Sequence, residues 1–319
     1  VFSLPVSLRY YWLNYLSFVC VAAITTRIQS DIKMNLRAPA MQEQNNPRAI
    51  LITGCSSGIG LCVAQGLKQR GYRVFATARQ AEDVSRLTDS GLESLQLDLD
   101  NSDSINLAVD EVLSRTNGQL YALFNNGAYG QIGAVEDLSR DALRAQFETN
   151  FFGWHELTCR VLPVMRQQGY GRIIQNSSIL GFIALPFRGA YNSSKYAIEG
   201  LSDTLRLELH DTNIFISLVE PGPIKSRFRA NSYKAYKQHI DKAHSPFKKQ
   251  YEAVEARLKK EGPVVPFTLP PEAVLKKVIH ALESKRPRER YYVTFPTHLF
   301  GTLKRLLSTR TLDKALRKI

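Results

Sequence analysis

From Ala49 onward, short apolar runs alternate with longer stretches in which apolar positions recur every three or four residues. The runs at 49–53 (A-I-L-I-T), 72–77 (Y-R-V-F-A-T), 92–97 (L-E-S-L-Q-L), 121–124 (Y-A-L-F), 172–176 (R-I-I-Q-N) and 214–219 (I-F-I-S-L-V) read as strands. Helical periodicity fills the intervals: Leu61 to Arg70, 102–115, a long stretch of roughly 139–168, and a segment that carries Tyr191 and runs to about Asp211. Six strand–helix alternations of this length predict an α/β fold, a doubly wound parallel sheet with helices on both faces in a single domain. In such sheets ligands bind beyond the carboxyl ends of the strands.

The ends of the chain break the pattern. Residues 1–48 contain a mostly apolar segment, Tyr10 to Ile24, between Arg9 and Arg27. Its length falls short of the roughly 20 residues a spanning helix needs. The segment reads equally as a leader with no part in the fold or as an interfacial anchor, and Met34 and Met41 are both plausible starts. Residues 35–48 read as linker. At the other end, 297–319 alternates Leu and Phe with Lys and Arg, the pattern of a basic amphipathic helix. A solvated closing helix and a surface that attracts anionic lipid both fit it.

Two clusters carry candidate chemistry. Gly54, Gly58 and Gly60 follow the first strand and open the first helix, where glycines let the backbone turn and approach a pyrophosphate. Their spacing is G-x-x-x-G-x-G. Tyr191 and Lys195 stand four apart, so one helix face presents both. An ammonium about 4 Å from a phenol favours the phenolate by roughly 4 kcal/mol at an effective dielectric near 20, which is about three pKa units toward neutrality. The same spacing recurs at Tyr233 and Lys237, in a Lys- and Tyr-rich segment that reads as a solvated basic face.

Composition narrows the partners. The net charge of +13 admits nucleic acid, an anionic membrane or a phosphorylated ligand. No zinc-finger spacing or RNA-binding aromatic signature accompanies it, so nucleic acid is not expected. The four cysteines form no C-x-x-C pair, and free thiols in a reducing cytosol are expected. No histidine pair has metal-ligating spacing, and no metal is expected.

Taken together, T-G-C-S-S-G-I-G (53–60), N-N-G-A (125–128), Asn150, Ser178, Tyr191-x-x-x-Lys195 and P-G-P-I (221–224) resemble the short-chain dehydrogenase/reductase family, of Rossmann fold. The likeness spans about 49 to 295, and leans toward the 17-beta-hydroxysteroid and retinol dehydrogenase branch and the enterobacterial YbbO-type oxidoreductases. Ser178 precedes Tyr191 by thirteen residues, an offset that Tyr233 lacks because Glu220 stands there. The family's usual N-N-A-G is N-N-G-A here.

The resemblance implies an oxidoreductase in which Tyr191 exchanges a proton with a carbonyl oxygen. Lys195 would lower the tyrosine's pKa and bind the nicotinamide ribose, Ser178 would orient the carbonyl, and Asn150 would hold a water linking Lys195 to solvent. Cofactor contacts would come from Gly54, Ser56, Ser57, Gly58, Ile59 and Gly60. Asp98 would contact adenine, and Asn125 and Gly127 would flank its ribose. Pro221, Gly222, Ile224 and Ser226 would border the nicotinamide. The second strand ends in A-T-A-R-Q, with Arg79 where an acid would favour NAD; a guanidinium suits the 2′-phosphate, so NADP(H) is expected.

Residues 227–268 correspond to the variable substrate loop, with one or two helices. Leu180, Phe182, Leu185 and Phe187 are expected to face the substrate, a lipid-, steroid- or retinoid-like carbonyl compound. The expected protein is a cytoplasmic NADPH-dependent aldehyde or ketone reductase, a homodimer or homotetramer by resemblance, with peripheral membrane contact open through either end. A non-catalytic NADP(H)-binding sensor of the same fold is the alternative.

Overall fold

The computed structural model describes residues 47–260, 262 and 265–317. The expectations for the leader at 1–48 therefore fall almost wholly outside the described residues.

Seven parallel strands form one sheet in the order β3-β2-β1-β4-β5-β6-β7. They are β1 (Ala49–Ile52), β2 (Arg73–Ala78), β3 (Glu93–Gln96), β4 (Ala122–Asn125), β5 (Gly171–Asn176), β6 (Ile214–Glu220) and β7 (Arg290–Tyr292). β1 is apolar without alternation because both its faces are covered. Ile50 and Ile52 meet one layer, with Val63 and Leu67 of helix α1 (Gly58–Gln69). Leu51 meets the other, with Ile105, Trp154, Leu157 and Ile198. Those residues come from α3 (Ser102–Arg115), α5 (Gly153–Gln168) and α6 (Gly189–Glu208); α2 (Ala81–Asp89) joins β2 to β3. Strand order reverses between β1 and β4, the crevice at which such sheets bind ligands.

The structure adds three features that periodicity missed. The long stretch at 139–168 is not one regular helix: α4 (Arg140–Phe147) and α5 are joined by a π turn at Glu148–Phe152 that holds Asn150. Gly153 lies so close to Leu99 that a Cβ there would stand 2.1 Å from the Leu99 carbonyl oxygen. The three-residue strand β7 lies too far along the chain and is too polar to read as a strand. The expected single C-terminal helix is two, α10 (Phe295–Leu306) and α11 (Thr309–Leu316), because the Ser308 hydroxyl accepts from the Thr311 amide and starts a new helix. The substrate loop does form two helices, α7 (Phe228–His239) and α8 (Lys248–Lys259), before α9 (Glu272–Glu283) returns to the sheet.

No helix among the described residues is long and apolar enough to cross a membrane.

Candidate active site

The glycine loop fits a dinucleotide through its backbone. Gly54 and Gly58 have φ of +69° and +59°, conformations that L side chains rarely adopt. A Cβ on Gly60 would stand 2.2 Å from the Gly54 carbonyl oxygen, and one on Gly54 would stand 2.5 Å from Gly127 Cα. Gly127 itself has slightly more room, so the exchanged order N-N-G-A relaxes a crowded contact. Ser57 is the N-cap of α1 and gives it no side-chain hydrogen bond, which leaves the first-turn amides for an anionic ligand. Ile59 and Ile224 are half-buried against the core. Ser226 crosses to meet Gly58: a Cβ on that glycine would lie 2.9 Å from Ser226 Cβ.

Arg79 stands exposed at the end of β2, and its positive charge reaches Asp100 and Tyr129. The Ser56 carbonyl oxygen accepts from Arg86 of α2 at 3.3 Å. Asp98 is half-buried and caps its own turn, accepting from the Asp100 amide at 3.2 Å. The Asn125 side chain is fully buried: its Nδ2 donates to Thr158 Oγ1 at 3.1 Å, and its Oδ1 has no partner among the described residues. The neighbouring Asn126, absent from the expected set, ties the loops together by donating to the carbonyls of Thr53 (2.9 Å) and Gly54 (3.2 Å).

The catalytic candidates converge at the carboxyl ends of β5 and β6. Ser178 follows β5, and its hydroxyl accepts from the Leu180 amide at 3.1 Å. Tyr191, Lys195 and Glu199 occupy three successive turns of α6 and are all buried. The Tyr191 phenol is pushed up to about 12 by burial, opposed by its hydrogen bond with Ser178. The expected pull of Lys195 on that phenol is not seen. The Lys195 ammonium donates to the Asn176 carbonyl at 2.9 Å, stands 4.0 Å above the Trp154 ring, and lies 5.8 Å from the Tyr191 ring centroid. Burial lowers its own pKa to about 7, against the attraction of Glu199. Asn176 in turn donates to Asn126 Oδ1 at 2.8 Å, so one chain of polar contacts joins the lysine to the glycine loop.

Asn150 is brought near, but not to Lys195 itself. Its side chain holds both backbone groups of Tyr129, at 2.9 and 3.2 Å, and lies 3.3 Å from Ser194 Oγ. On the β6 side, the Pro221 carbonyl accepts from the Ile179 amide at 2.8 Å, which fixes the nicotinamide loop to the residue after Ser178. Gly222 is packed against Thr294, with 2.2 Å between a hypothetical Cβ and Thr294 Oγ1.

Behind this site lies a cluster the sequence did not disclose. Arg290 of β7 grips Glu199, donates to Glu220 Oε1 at 2.8 Å and to Asp203 Oδ2 at 2.6 Å. Glu220 is wholly buried, and burial together with the neighbouring Glu199 carboxyl pushes it up to about 8. One guanidinium thus joins the catalytic helix to β6, the strand that ends at Glu220 just before Pro221.

The four residues expected to face the substrate divide. Leu180, Phe182 and Leu185 pack with Leu312 and Leu316, and so form the seat of the C-terminal helices. Phe187 alone lies under the substrate loop, edge-on to Phe247 (5.6 Å) and Tyr251 (5.5 Å). The Tyr191 ring meets Phe228 of α7 at 5.2 Å, so α7 closes over the phenol. A cleft of about 720 Å³ is lined by Val135, Leu185, Pro186, Phe187, Tyr196 and Leu316, and so takes in two of these four residues, but neither Ser178 nor Tyr191 lines it.

A family profile described as short chain dehydrogenase matches residues 48–237. The chain belongs to the short-chain dehydrogenase/reductase family. The uncharacterized oxidoreductase YbbO of Escherichia coli K12 is 44% identical over 269 residues, covering 84% of this chain and 94% of that protein. Human 17-beta-hydroxysteroid dehydrogenase type 1 is 32% identical and covers 77% of each chain. Among solved structures, a short-chain dehydrogenase/reductase of Burkholderia phymatum in complex with NAD shares the fold, with a TM-score of 0.68 at 20% identity, over 85% of this chain and 96% of that one. The chain is thus an oxidoreductase of this family, whose members act on small molecules through NAD(P).

Proposed function

We propose that the protein is an NADP(H)-dependent reductase of aldehydes or ketones with apolar frameworks. The observation that carries this reading is the burial of Tyr191 beside Ser178, with Lys195 one turn on, at the carboxyl end of β5. A phenol pushed up to about 12 keeps its proton at neutral pH, as a general acid must. Ser178 would orient and polarise the carbonyl. Bound NADPH supplies the hydride. Tyr191 Oη gives its proton to the carbonyl oxygen, leaving an alcohol, and the phenolate regains a proton through Lys195. Asn150 braces the Tyr129 backbone and Ser194, and so keeps α6 in place against the π turn.

The preference for NADP(H) rests on Arg79, an exposed cation at the end of β2 with no acid beside it in sequence. NADPH consumption across aldehydes, ketones, sterols and retinoids tests the activity; tight NADPH binding with no turnover of any of them would overturn it and favour a sensor. Arg79→Asp tests the cofactor. Charge-assisted hydrogen bonds are worth about 1.5–3 kcal/mol each, so the NADPH/NADH preference should fall tenfold or more. An unchanged ratio would place the phosphate elsewhere.

A further inference from the structure

Helix α10 packs one side and leaves the other bare. Phe300, Leu303 and Leu307 turn inward onto Ile179, Leu180 and Phe182, and Lys304 donates to the Phe182 carbonyl. At 3.6 residues per turn, Phe295, Leu299 and Leu306 fall within about 40° of one another on the opposite side. They are 57%, 40% and 75% exposed. Phe267, 56% exposed, sets its ring 5.0 Å from that of Phe295 and extends the row. Its φ of +60° is rare for a bulky residue, so a strained backbone holds this ring at the surface.

Helix α11 shares the same seat, with Leu312 and Leu316 buried in the cluster on which α10 rests. Its outward side carries Arg310, Lys314 and, just past its end, Arg317, all exposed and at helical spacing. On α10, His298 and Arg305 border the apolar row and are exposed as well. From 295 to 317 the chain has five lysines and arginines against one acid, Asp313. Because both helices rest on one platform, their outward sides turn away from it together: an apolar row with cations along its flank.

The row begins at the rim of the candidate active site. Thr294 and Thr297, at the start of α10, pack against Gly222. Leu269, two residues after Phe267, exchanges backbone hydrogen bonds with Pro223 (3.1 Å) and Lys225 (2.9 Å) in the loop expected to border the nicotinamide.

We propose that the outward face of α10 and α11 is a docking surface for an anionic lipid bilayer. Phe267, Phe295, Leu299 and Leu306 enter the boundary between headgroups and acyl chains, and the cations meet the lipid phosphates. Single exposed apolar side chains are ordinary, but a row of four beside an excess of one charge marks an interface. A second copy fits the face poorly, since an isologous pairing sets the same cations against each other. The docking stands apart from the carbonyl-reductase reading. Its consequence rests on that reading: an apolar carbonyl compound reaches the site from the bilayer.

The test uses the full chain and vesicles of phosphatidylcholine with phosphatidylglycerol. Wild type should sediment with them, less so as salt shortens the Debye length from about 10 Å at 0.1 M to about 3 Å at 1 M. The triple variant Phe295→Ser, Leu299→Ser, Leu306→Ser should lose at least tenfold in partition with little change in Tm. Arg310→Gln, Lys314→Gln and Arg317→Gln together should lose tenfold or more and most of the salt dependence. Leu299→Trp gives a local readout: brominated lipid should quench its emission beyond the quenching seen in wild type. On the reductase reading, the triple serine variant should reduce a long-chain ketone held in the vesicles at least tenfold more slowly than wild type. A short, water-soluble ketone should be reduced by both at the same rate.

Equal vesicle binding by wild type and the triple serine variant would overturn the proposal, as would no added quenching in Leu299→Trp. A lower oligomeric mass of the triple serine variant without lipid would also overturn it, assigning the face to a second copy. If neither ketone is reduced while vesicle binding still depends on the row and the cations, the reductase reading fails and the docking face stands.

Discussion

Two helices of this molecule carry the same three-step pattern, and only one of them makes a reaction centre. On α6, Tyr191, Lys195 and Glu199 stand one turn apart; on α7 and just beyond it, Tyr233, Lys237 and Asp241 repeat the spacing. In the first, all three are buried, the lysine sits on Trp154 and the acid is gripped by Arg290. In the second, Tyr233 donates to Glu255 at 3.1 Å, Lys237 lies 5.5 Å from its ring centroid, and Asp241 pairs in solvent with His244 at 2.7 Å. Water dissipates the charges of the second set. Burial itself shifts the pKa values of the first set, and the partners of each residue oppose that shift.

The largest effect that sharpens this contrast is on turnover. Tyr191→Phe should cut carbonyl reduction roughly 10²–10⁴-fold while NADPH binding persists, the range for loss of a general acid. Tyr233→Phe should leave the rate within a factor of a few. Comparable losses from both, measured as kcat/KM on the same carbonyl, would erase the distinction between the two helices.

Stability offers the next test. Arg290→Met removes the cation that pairs directly with the buried carboxyls of Glu199 and Glu220, and breaking such a pair from one side costs about 3 kcal/mol or more. The sign of its pH dependence follows from Glu220. Its folded pKa, about 8, lies above the ordinary value of 4.5, so the native state binds the extra proton between those limits and stability declines as pH rises through them. Without Arg290 both carboxyls move further up, and the urea midpoint of the variant should fall more at pH 8 than at pH 6. On the exposed side, His244→Ala should leave the midpoint where it was. An Arg290→Met protein as stable as wild type at both pH values would mean that the cluster holds nothing together.

The contrast also explains what the amino-acid order discloses. Six of the seven strands and the glycine turn are local patterns, while the four catalytic candidates come as a set from the family resemblance. An apolar run needs both faces covered, and a positive-φ turn before a helix calls for glycine; neither needs knowledge of distant residues. β7 was illegible because its three residues, R-Y-Y, are held by partners 70 to 91 positions away. The spacing pairs Tyr191 with Lys195, but nothing in it shows that Trp154 and the Asn176 carbonyl also meet the lysine. Asn125 matched the motif, but its side chain proved committed to α5.

The smallest effect is a shift in a pH profile. Lys195 has a folded pKa of about 7, well below the ordinary value for lysine, because burial disfavours its ammonium. The unfolded chain therefore holds a proton that the native chain has lost between about pH 7 and the ordinary lysine value near 10.4, and over that window this group makes stability rise with pH. If Lys195 must be charged to return a proton to Tyr191, the rate of carbonyl reduction should fall as pH rises through about 7. Glu199 works against the loss of that proton, since its charge is the influence that raises the lysine's pKa. Burial raises Glu199 and Glu220 alike, and Arg290, which pairs with both, favours the charged form of each. Glu199→Gln should accordingly move the falling limb of the kcat profile to lower pH, with KM for NADPH little changed. Asp241→Asn, the matching change beside Lys237, should not move it. A limb that stays in place in Glu199→Gln would show that some group other than Lys195 governs the reaction above neutrality, and the two lysines would then be less different than their surroundings suggest.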